Sequence, residues 1–257
     1  MVTAATKPGI RVATVRVLPG DRFDHVFFSG VAWLMLVTVF VGFAPTYYLA
    51  GLTRAPLPST IIHVHAIVFS CWILLLVTQT SLIAGRHVRV HRRVGIAGLL
   101  LAMLMLIVGP LAATDVLLRR AGPPGRDVEA FYIVPLTNIL AFGVLMVCAF
   151  RARSAPAAHK RLVLAATTTL MTAAIARWHF GFVYKQPLVA TRISYIFFLL
   201  LLAYDLWSSR KIHHATIWAS SFLIFLDEIR VPVGRTAAWH AFARWVESVA
   251  RHNGVFG

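Results

Sequence analysis

Long apolar runs alternate with short polar segments along most of the chain. A membrane-spanning helix needs roughly 20 apolar residues, because the hydrocarbon layer is about 30 Å thick and a helix rises about 1.5 Å per residue. Seven runs approach this length, and they cover residues 29–50, 60–84, 95–117, 130–150, 162–183, 193–207 and 215–231. The pattern therefore predicts seven spanning helices. A re-entrant segment is the alternative for the last run, which has Asp227 and Glu228 near its end.

The tail after the seventh run has a different pattern. Its apolar side chains recur at helical spacing, at Trp239, Phe242, Val246 and Val249, and its charged residues fall mostly elsewhere around the axis, at Arg235, Arg244, Glu247 and Arg251. This spacing predicts an amphipathic helix that lies on the bilayer surface. The chain then divides into a cytoplasmic N-terminal arm (1–28), a transmembrane helical bundle (29–232), and an amphipathic surface helix with its tail (233–257).

The composition agrees with this reading of the pattern. Of the 257 residues, 59% are hydrophobic and 13% are charged, whereas a soluble domain has about 25% charged residues. No segment between the apolar runs is long enough to bury a hydrophobic core of its own. We therefore expect an all-α protein whose main domain is a polytopic transmembrane helix bundle.

The formal net charge of +16 comes from basic residues at the ends of the apolar runs. If the N-terminus is cytoplasmic, the inner segments hold more Lys and Arg residues than the short outer loops, as the positive-inside rule requires. Membrane topology and anionic lipid account for this charge, so nucleic acid is not an expected partner. Membrane lipids are expected partners, and a partner membrane subunit or a homo-oligomer is compatible with the sequence.

Several ionisable side chains lie near the predicted outer face. Ionisable groups in a span are costly, so they mark pairing contacts or functional sites. The candidate metal ligands are His63, His65, His179 and Glu228. Imidazoles with a nearby carboxylate suit copper, iron or zinc, and histidines on two helices suit haem b. The alternatives are hydrogen bonding at the headgroup boundary and a gating or proton-relay role.

The second apolar run contains a stripe that distinguishes its two histidines. His65, Trp72 and Gln79 recur every seven residues and so share one helix face. His63 lies about 200° from His65 around a regular helix, so both can serve one site only if the first turn is irregular. We expect the stripe with His65 to line the interior.

An arginine within the fifth run requires a partner. Arg177 lies about two turns inside the outer end of this run, where an unpaired cation is costly. The nearby carboxylates in the sequence pattern are Asp115, Asp227 and Glu228. We expect Arg177, Asp115 and Asp227 to form an ion-pair or gating group, with binding of an external anionic group as the alternative role of Arg177.

The inner face holds histidines among basic residues. His91 and His159 are the candidate cofactor-binding residues of this layer, and both have Arg or Lys neighbours. Surrounding cations disfavour a further positive charge, so the layer suits haem propionates, lipid phosphates or an anionic metabolite. Asp205, near the inner end of the sixth run, should pair with one of these cations.

A further pattern links these residues to a known group of proteins. The string His63-Val64-His65-Ala66, followed by Trp72, Gln79, Arg86, His91-Arg92-Arg93 and Gly95, and later by His159-Lys160-Arg161, resembles bacterial multi-pass membrane proteins that have no assigned function. The resemblance covers most of the spanning region. It implies the helical membrane fold and the bacterial inner membrane, and it implies no activity. The histidine spacings differ from those of the membrane di-iron desaturases and hydroxylases.

Three functional hypotheses follow from the sequence. The first is a membrane protein that binds a transition metal or haem b through its outer histidines, in a redox-linked role. The second is a small-solute or proton-coupled transporter, and the third is a non-catalytic membrane subunit or sensor. The sequence has no Gly-rich phosphate loop and no dinucleotide fingerprint, so neither an ATP-driven pump nor a nicotinamide enzyme is indicated.

Overall fold

The computed structural model describes residues 19–54, 58–123, 125–184 and 186–252, with side chains from Phe23 onwards. Within these ranges the regular secondary structure is helical, and no β-strand occurs. The predicted all-α class is therefore confirmed for this part of the chain. Most of the predicted arm (1–28) and the last residues of the predicted tail (253–257) lie outside the described residues.

Ten α-helices follow one another in the described ranges. They are α1 (Pro19–Phe43), α2 (Ala50–Thr53), α3 (Thr60–Ala84), α4 (Val88–Leu118), α5 (Val128–Arg151), α6 (Pro156–Ile175), α7 (Pro187–Ser194), α8 (Ile196–Ser209), α9 (His214–Gly234) and α10 (Ala237–His252). A π-helix (Ala44–Tyr48) joins α1 to α2, and a 3-10 turn (Ala152–Ser154) joins α5 to α6.

Five helical segments are long and apolar enough to cross a membrane. They are Phe23–Tyr48, Thr60–Ala84, Val88–Leu118, Val128–Ser154 and Pro187–Ser209. These segments indicate a membrane protein. Helices α6 and α9, which correspond to the fifth and seventh predicted spans, are not among the five. Charged residues lie near the start of α6 and the end of α9, and α6 is also rich in Thr and Ala.

Helix α6 lies at the centre of the bundle, in contact with α1, α5, α7, α8 and α9. Most of its residues from Arg161 to Ile175 are buried, among them four threonines. The hydroxyls of Thr167 and Thr168 each donate to a carbonyl oxygen one turn earlier, at 3.0 Å. Because other helices surround α6 and its hydroxyls are satisfied, this helix does not need the apolar composition of a lipid-facing span.

Two glycines allow neighbouring helices to approach closely. A Cβ atom on Gly42 of α1 would lie 2.2 Å from the carbonyl oxygen of Ala174 on α6. A Cβ atom on Gly234 of α9 would lie 2.8 Å from the carbonyl oxygen of Ala130 on α5. Both neighbours are backbone atoms, which cannot rotate away. Glycine therefore sets the spacing of α1 against α6 and of α9 against α5.

A buried ion pair connects α6 to the α8–α9 region at the predicted inner end. Arg161 pairs with Asp205, and its Nε donates to a carboxylate oxygen at 2.9 Å. The other carboxylate oxygen accepts from Thr216 at 2.6 Å and from the backbone N–H of His213 at 3.0 Å. The expectation that Asp205 pairs with an inner cation is thus confirmed.

The fifth and sixth predicted spans differ from the observed helices. The apolar pattern predicts a span over 162–183, but α6 ends at Ile175 and turns follow it. Trp178, Phe180 and Phe182 extend the apolar signal although the backbone is no longer helical there. The sixth predicted span is divided at Tyr195 into α7 and α8. Hydropathy alone cannot distinguish an apolar turn from an apolar helix.

Candidate ligand cavity

A cavity of about 550 Å³ lies within the bundle. Its walls come from α1, the π-helix, α3, α4, α5, α6 and the connection between α4 and α5. Its volume lies within the range of about 300–1,000 Å³ that is typical of sites for small molecules and cofactors. The lining is mainly apolar, and none of the described residues that line it is Asp or Glu.

His65 forms part of the cavity wall on α3. Its ring stacks on Phe69, with ring centroids 4.0 Å apart. The Nδ1 atom is buried and has no hydrogen-bond partner in the described part of the chain. Leaving a buried polar atom unsatisfied costs roughly 1–3 kcal/mol. A molecule in the cavity that bonds to this imidazole would remove the cost.

Arg177 also borders the cavity, on the segment that follows α6. It is the one permanently charged residue among the described residues of the lining. Its guanidinium donates to the carbonyl oxygen of Ala173 at 2.7 Å and lies 4.7 Å from the ring centroid of Phe43. Neither contact supplies negative charge. A guanidinium in this setting favours an anionic group in the cavity.

Arg177 and His65 both line the cavity, and they lie close enough to interact electrostatically. Further polar groups in the wall are already satisfied by protein atoms. The indole of Trp72 donates to Thr167 at 3.2 Å, and the hydroxyls of Tyr48 and Ser70 are 2.7 Å apart. The cavity therefore combines an apolar interior with one unpartnered imidazole and one unpaired guanidinium.

The four predicted metal ligands have different contacts in the structure. The Nδ1 atom of His63 lies 3.3 Å from the hydroxyl of Tyr47. The exposed ring of His179 stacks on Tyr184, with centroids 4.7 Å apart. Glu228 pairs with Arg192 on α7 and does not line the cavity. Within the described residues, no three or more His, Cys, Asp and Glu side chains group together to hold a metal ion.

The expected partners of Arg177 all pair with other arginines. Asp115 accepts from Arg119 at 2.8 Å, and Asp227 lies 2.9 Å from Arg230. Each of these arginines lies within one helical turn of its carboxylate, which explains why it is preferred over the distant Arg177. The structure thereby corrects the predicted pairing, and Asp115, Asp227 and Arg177 do not form one cluster. Glu228 likewise pairs with Arg192.

The two predicted inner cofactor residues lie near each other. The Nδ1 atom of His159 donates to the carbonyl oxygen of Ala149 at 2.8 Å, because a carbonyl can only accept. His91 has a buried Nδ1 without a partner in the described residues, and its ring lies within electrostatic range of His159. Neither residue lines the cavity. His91 lies near the start of α4 and His159 near the start of α6, whereas the cavity is lined by residues nearer the ends of these two helices.

Two interior residues escaped the sequence reasoning. Asn138 on α5 lines the cavity and accepts from the buried Arg230 at 2.6 Å. Arg230 also donates to Thr191 at 3.0 Å, so it ties α9 to α5 and α7. The spacing of Arg230 three residues after Asp227 is the signal that would have revealed the pair, because such residues share a helix face.

Comparison with known proteins yields no match. No protein-family model matches the chain, and neither a curated protein nor a solved structure is similar to it. This outcome is consistent with the resemblance to a group without an assigned function.

Proposed function

We propose that the chain is a multi-pass protein of the bacterial inner membrane with seven spanning helices and a cytoplasmic N-terminus. Five helical segments have the length and apolar character of spans. Helices α6 and α9 have 20 and 21 residues, and about 20 residues are enough to cross the hydrocarbon layer. Both helices pack against α5, which belongs to one of the five candidate spans. The positive-inside pattern supports the orientation.

We also propose that α10 is the amphipathic helix on the membrane surface. It follows α9 directly and contacts α4 and α5. Aromatic residues next to arginines on one helix are typical of a membrane interface. Membrane lipids are then the immediate partners of the protein.

For the cavity, we propose that it binds haem b in a redox-linked role, with the imidazole of His65 as an iron ligand. The observation behind this proposal is that a buried, unpartnered imidazole and an unpaired arginine border the same apolar cavity. Haem matches all of these features, since it is largely apolar, has an iron that imidazole binds, and has anionic propionates that arginine binds. Arg177 would hold a propionate.

The scattered metal ligands favour haem over a bare metal ion. A bare ion needs several protein ligands at one point, and the described residues form no such group. The porphyrin supplies the equatorial ligands itself, so one axial histidine is sufficient, as in globins. The haem form of the hypothesis therefore needs only His65 from the predicted set.

The test is an absorption spectrum of the protein purified from cells supplied with haem. We expect a Soret band in the wild type that shifts on reduction with dithionite. The His65→Ala variant should lose most of this band, whereas His179→Ala should retain it, because His179 does not line the cavity. A wild-type protein without a Soret band, or equal loss in the two variants, would contradict the proposal.

A second candidate is a carrier for an anionic amphiphile, such as a fatty acid. The observation in its favour is that the described lining contains one imidazole, His65, and one guanidinium, Arg177, which are groups that can donate hydrogen bonds to the carboxylate of a bound amphiphile. Mass spectrometry of molecules extracted from the pure protein distinguishes the candidates. A co-purifying carboxylate that is lost in Arg177→Gln, without haem, would favour the carrier.

A further inference from the structure

Helix α10 has three different sides. One side packs on the bundle, where Ala243 and Ala250 are buried. A second side, which we call the aromatic side, is formed by Phe242, Trp245 and Val249, with exposed fractions of 41%, 60% and 40%. These three residues lie on one stripe of the helix. The aromatic side has no protein neighbour that covers it in the described part of the chain.

The third side of α10 is polar and binds the connection between α4 and α5, which the structure describes at residues 119–123 and 125–127. Arg120 of this connection donates to Glu247 of α10 at 2.9 Å. Arg244 donates to the carboxylate of Glu129, at the start of α5, at 3.1 Å. The indole of Trp239 donates to the backbone carbonyl of Glu129 at 2.8 Å. One contact thus joins α10 to the connection itself, and two join it to the start of α5, where the connection ends; His240 of α10 also lies 3.5 Å from Asp127.

The same connection forms part of the cavity wall. Ala121, Gly122 and Pro123 line the cavity and directly follow Arg120, which α10 holds. The position of α10 therefore determines where this wall lies. Two of the candidate spans, Val88–Leu118 and Val128–Ser154, end and begin at this connection. Helix α10 consequently lies at the level where those spans leave the membrane.

We propose that the aromatic side of α10 docks on an anionic lipid surface, and that this docking keeps the α4–α5 connection in place as a wall of the cavity. The inference rests on the proposed membrane location and on the cavity as a binding site. Arg235 lies just before α10, and Arg244 and Arg251 lie on its polar side, where their side chains stay 59% and 60% exposed although they pair with Glu129 and Glu247. These exposed cations match the charge of anionic headgroups. Lipid composition then regulates how firmly the cavity is closed.

Hydrogen exchange measured by mass spectrometry tests this coupling in nanodiscs of phosphatidylcholine with and without phosphatidylglycerol. We expect the connection and α10 to exchange more slowly when phosphatidylglycerol is present. The double variant Phe242→Ala/Trp245→Ala should raise exchange in both segments roughly tenfold and abolish the lipid effect. The matched control is Trp218→Ala, since Trp218 on α9 is also exposed but lies outside α10.

A second variant separates lipid docking from the link to the connection. Glu247→Gln removes the ion pairs with Arg120 and Arg251 and leaves the aromatic side intact. We expect faster exchange in the connection and little change in α10. If this variant and the double variant both exchange like the control, or if the wild type does not respond to lipid, the proposal is overturned. All measurements use protein without added haem, so a failure of the haem proposal leaves this test valid.

Discussion

Three arginines of the described part have different surroundings, since Arg161 and Arg230 are buried whereas Arg177 is exposed at the cavity wall. Arg161 is bound to Asp205, and Arg230 is bound to Asp227 and Asn138. Arg177 has a backbone carbonyl and an aromatic ring as partners but no carboxylate. Arg161 and Arg230 therefore have carboxylate partners that make them structural residues, whereas Arg177 is the arginine that we propose for binding an anion.

The pair between Arg161 and Asp205 should be essential for stability. Asp205→Asn leaves the Arg161 guanidinium buried without a carboxylate, so we expect a loss of about 3–5 kcal/mol in the free energy of unfolding. Denaturant titration in detergent would measure it. The control is Glu228→Gln, which breaks an exposed ion pair with Arg192 and should change stability little. Equal effects of the two substitutions would contradict this assignment.

His213 should make stability depend on pH. It caps α9, because its Nδ1 accepts from the backbone N–H of Ala215 at 3.1 Å. Burial, with a further contribution from Arg161, lowers the pKa of His213 below its ordinary value of 6.5. The unfolded chain therefore takes up a proton at a higher pH than the folded chain does. The contribution of His213 to stability is complete above about pH 6.5 and is lost as the pH falls below it.

Thermal unfolding in detergent between pH 8 and pH 5 measures this contribution. The matched variant is His213→Asn, which retains a side-chain oxygen for the cap but does not titrate. We expect the wild type to lose more stability than the variant on acidification. The same pH dependence in both proteins would show that His213 is not responsible.

At the scale of helices, close contact between elements depends on small residues where the helices meet. α1 meets α6 at Gly42, and α9 meets α5 at Gly234. Buried threonines of α6 satisfy their own hydroxyls through the carbonyls of the preceding turn. Small residues and satisfied hydroxyls let α6 pack closely against several helices at once. This packing places the end of α6, and thus Arg177, beside the cavity.

Gly42 provides a direct test of the contact between α1 and α6. Gly42→Ala would place a Cβ atom 2.2 Å from a backbone oxygen, so the two helices must separate. We expect a loss of about 1–3 kcal/mol in stability, which is typical of overpacking. The control is Gly30→Ala on the same helix, where no atom lies within 4 Å of the new Cβ. That variant should be as stable as the wild type or slightly more so, because alanine favours the helix.

At the scale of the whole molecule, one polar central helix is surrounded by apolar ones. The five candidate spans have the hydropathy of lipid-facing helices, whereas α6 is largely buried among its neighbours. The cavity with its few polar groups is formed between these helices. The number of spans then decides on which side of the membrane each loop lies.

Cysteine labelling of intact cells distinguishes seven spans from five. In a version with Cys71 and Cys148 replaced by alanine, we expect Gly181→Cys to react with an impermeant reagent from outside, and Lys211→Cys to react only after permeabilisation. If α6 and α9 do not cross the membrane, the two results are exchanged. Arg126→Cys is the control, because it faces outside in both arrangements.

The apolar pattern was sufficient to predict the helical class, the approximate position of each long helix and the inward orientation of the stripe with His65. Trp72 is buried, and His65 lines the cavity. These features follow from the local periodicity of the chain, because a helix must place its apolar or interior residues on a regular face. The local spacing of Arg230 to Asp227 belongs to the same class of information.

Only the tertiary structure decided which polar residues meet. His63, His65, His179 and Glu228 are all candidate ligands in the sequence, yet His65 alone among them borders the cavity. Arg177 faces that cavity because α6 ends at Ile175, where the apolar signal continues. Contacts between residues that are distant in the chain depend on how the helices pack and on close approaches at residues such as Gly42. They also depend on which cation lies nearest to each carboxylate. Hydrophobic periodicity has no information about these distances, because it describes one helix at a time.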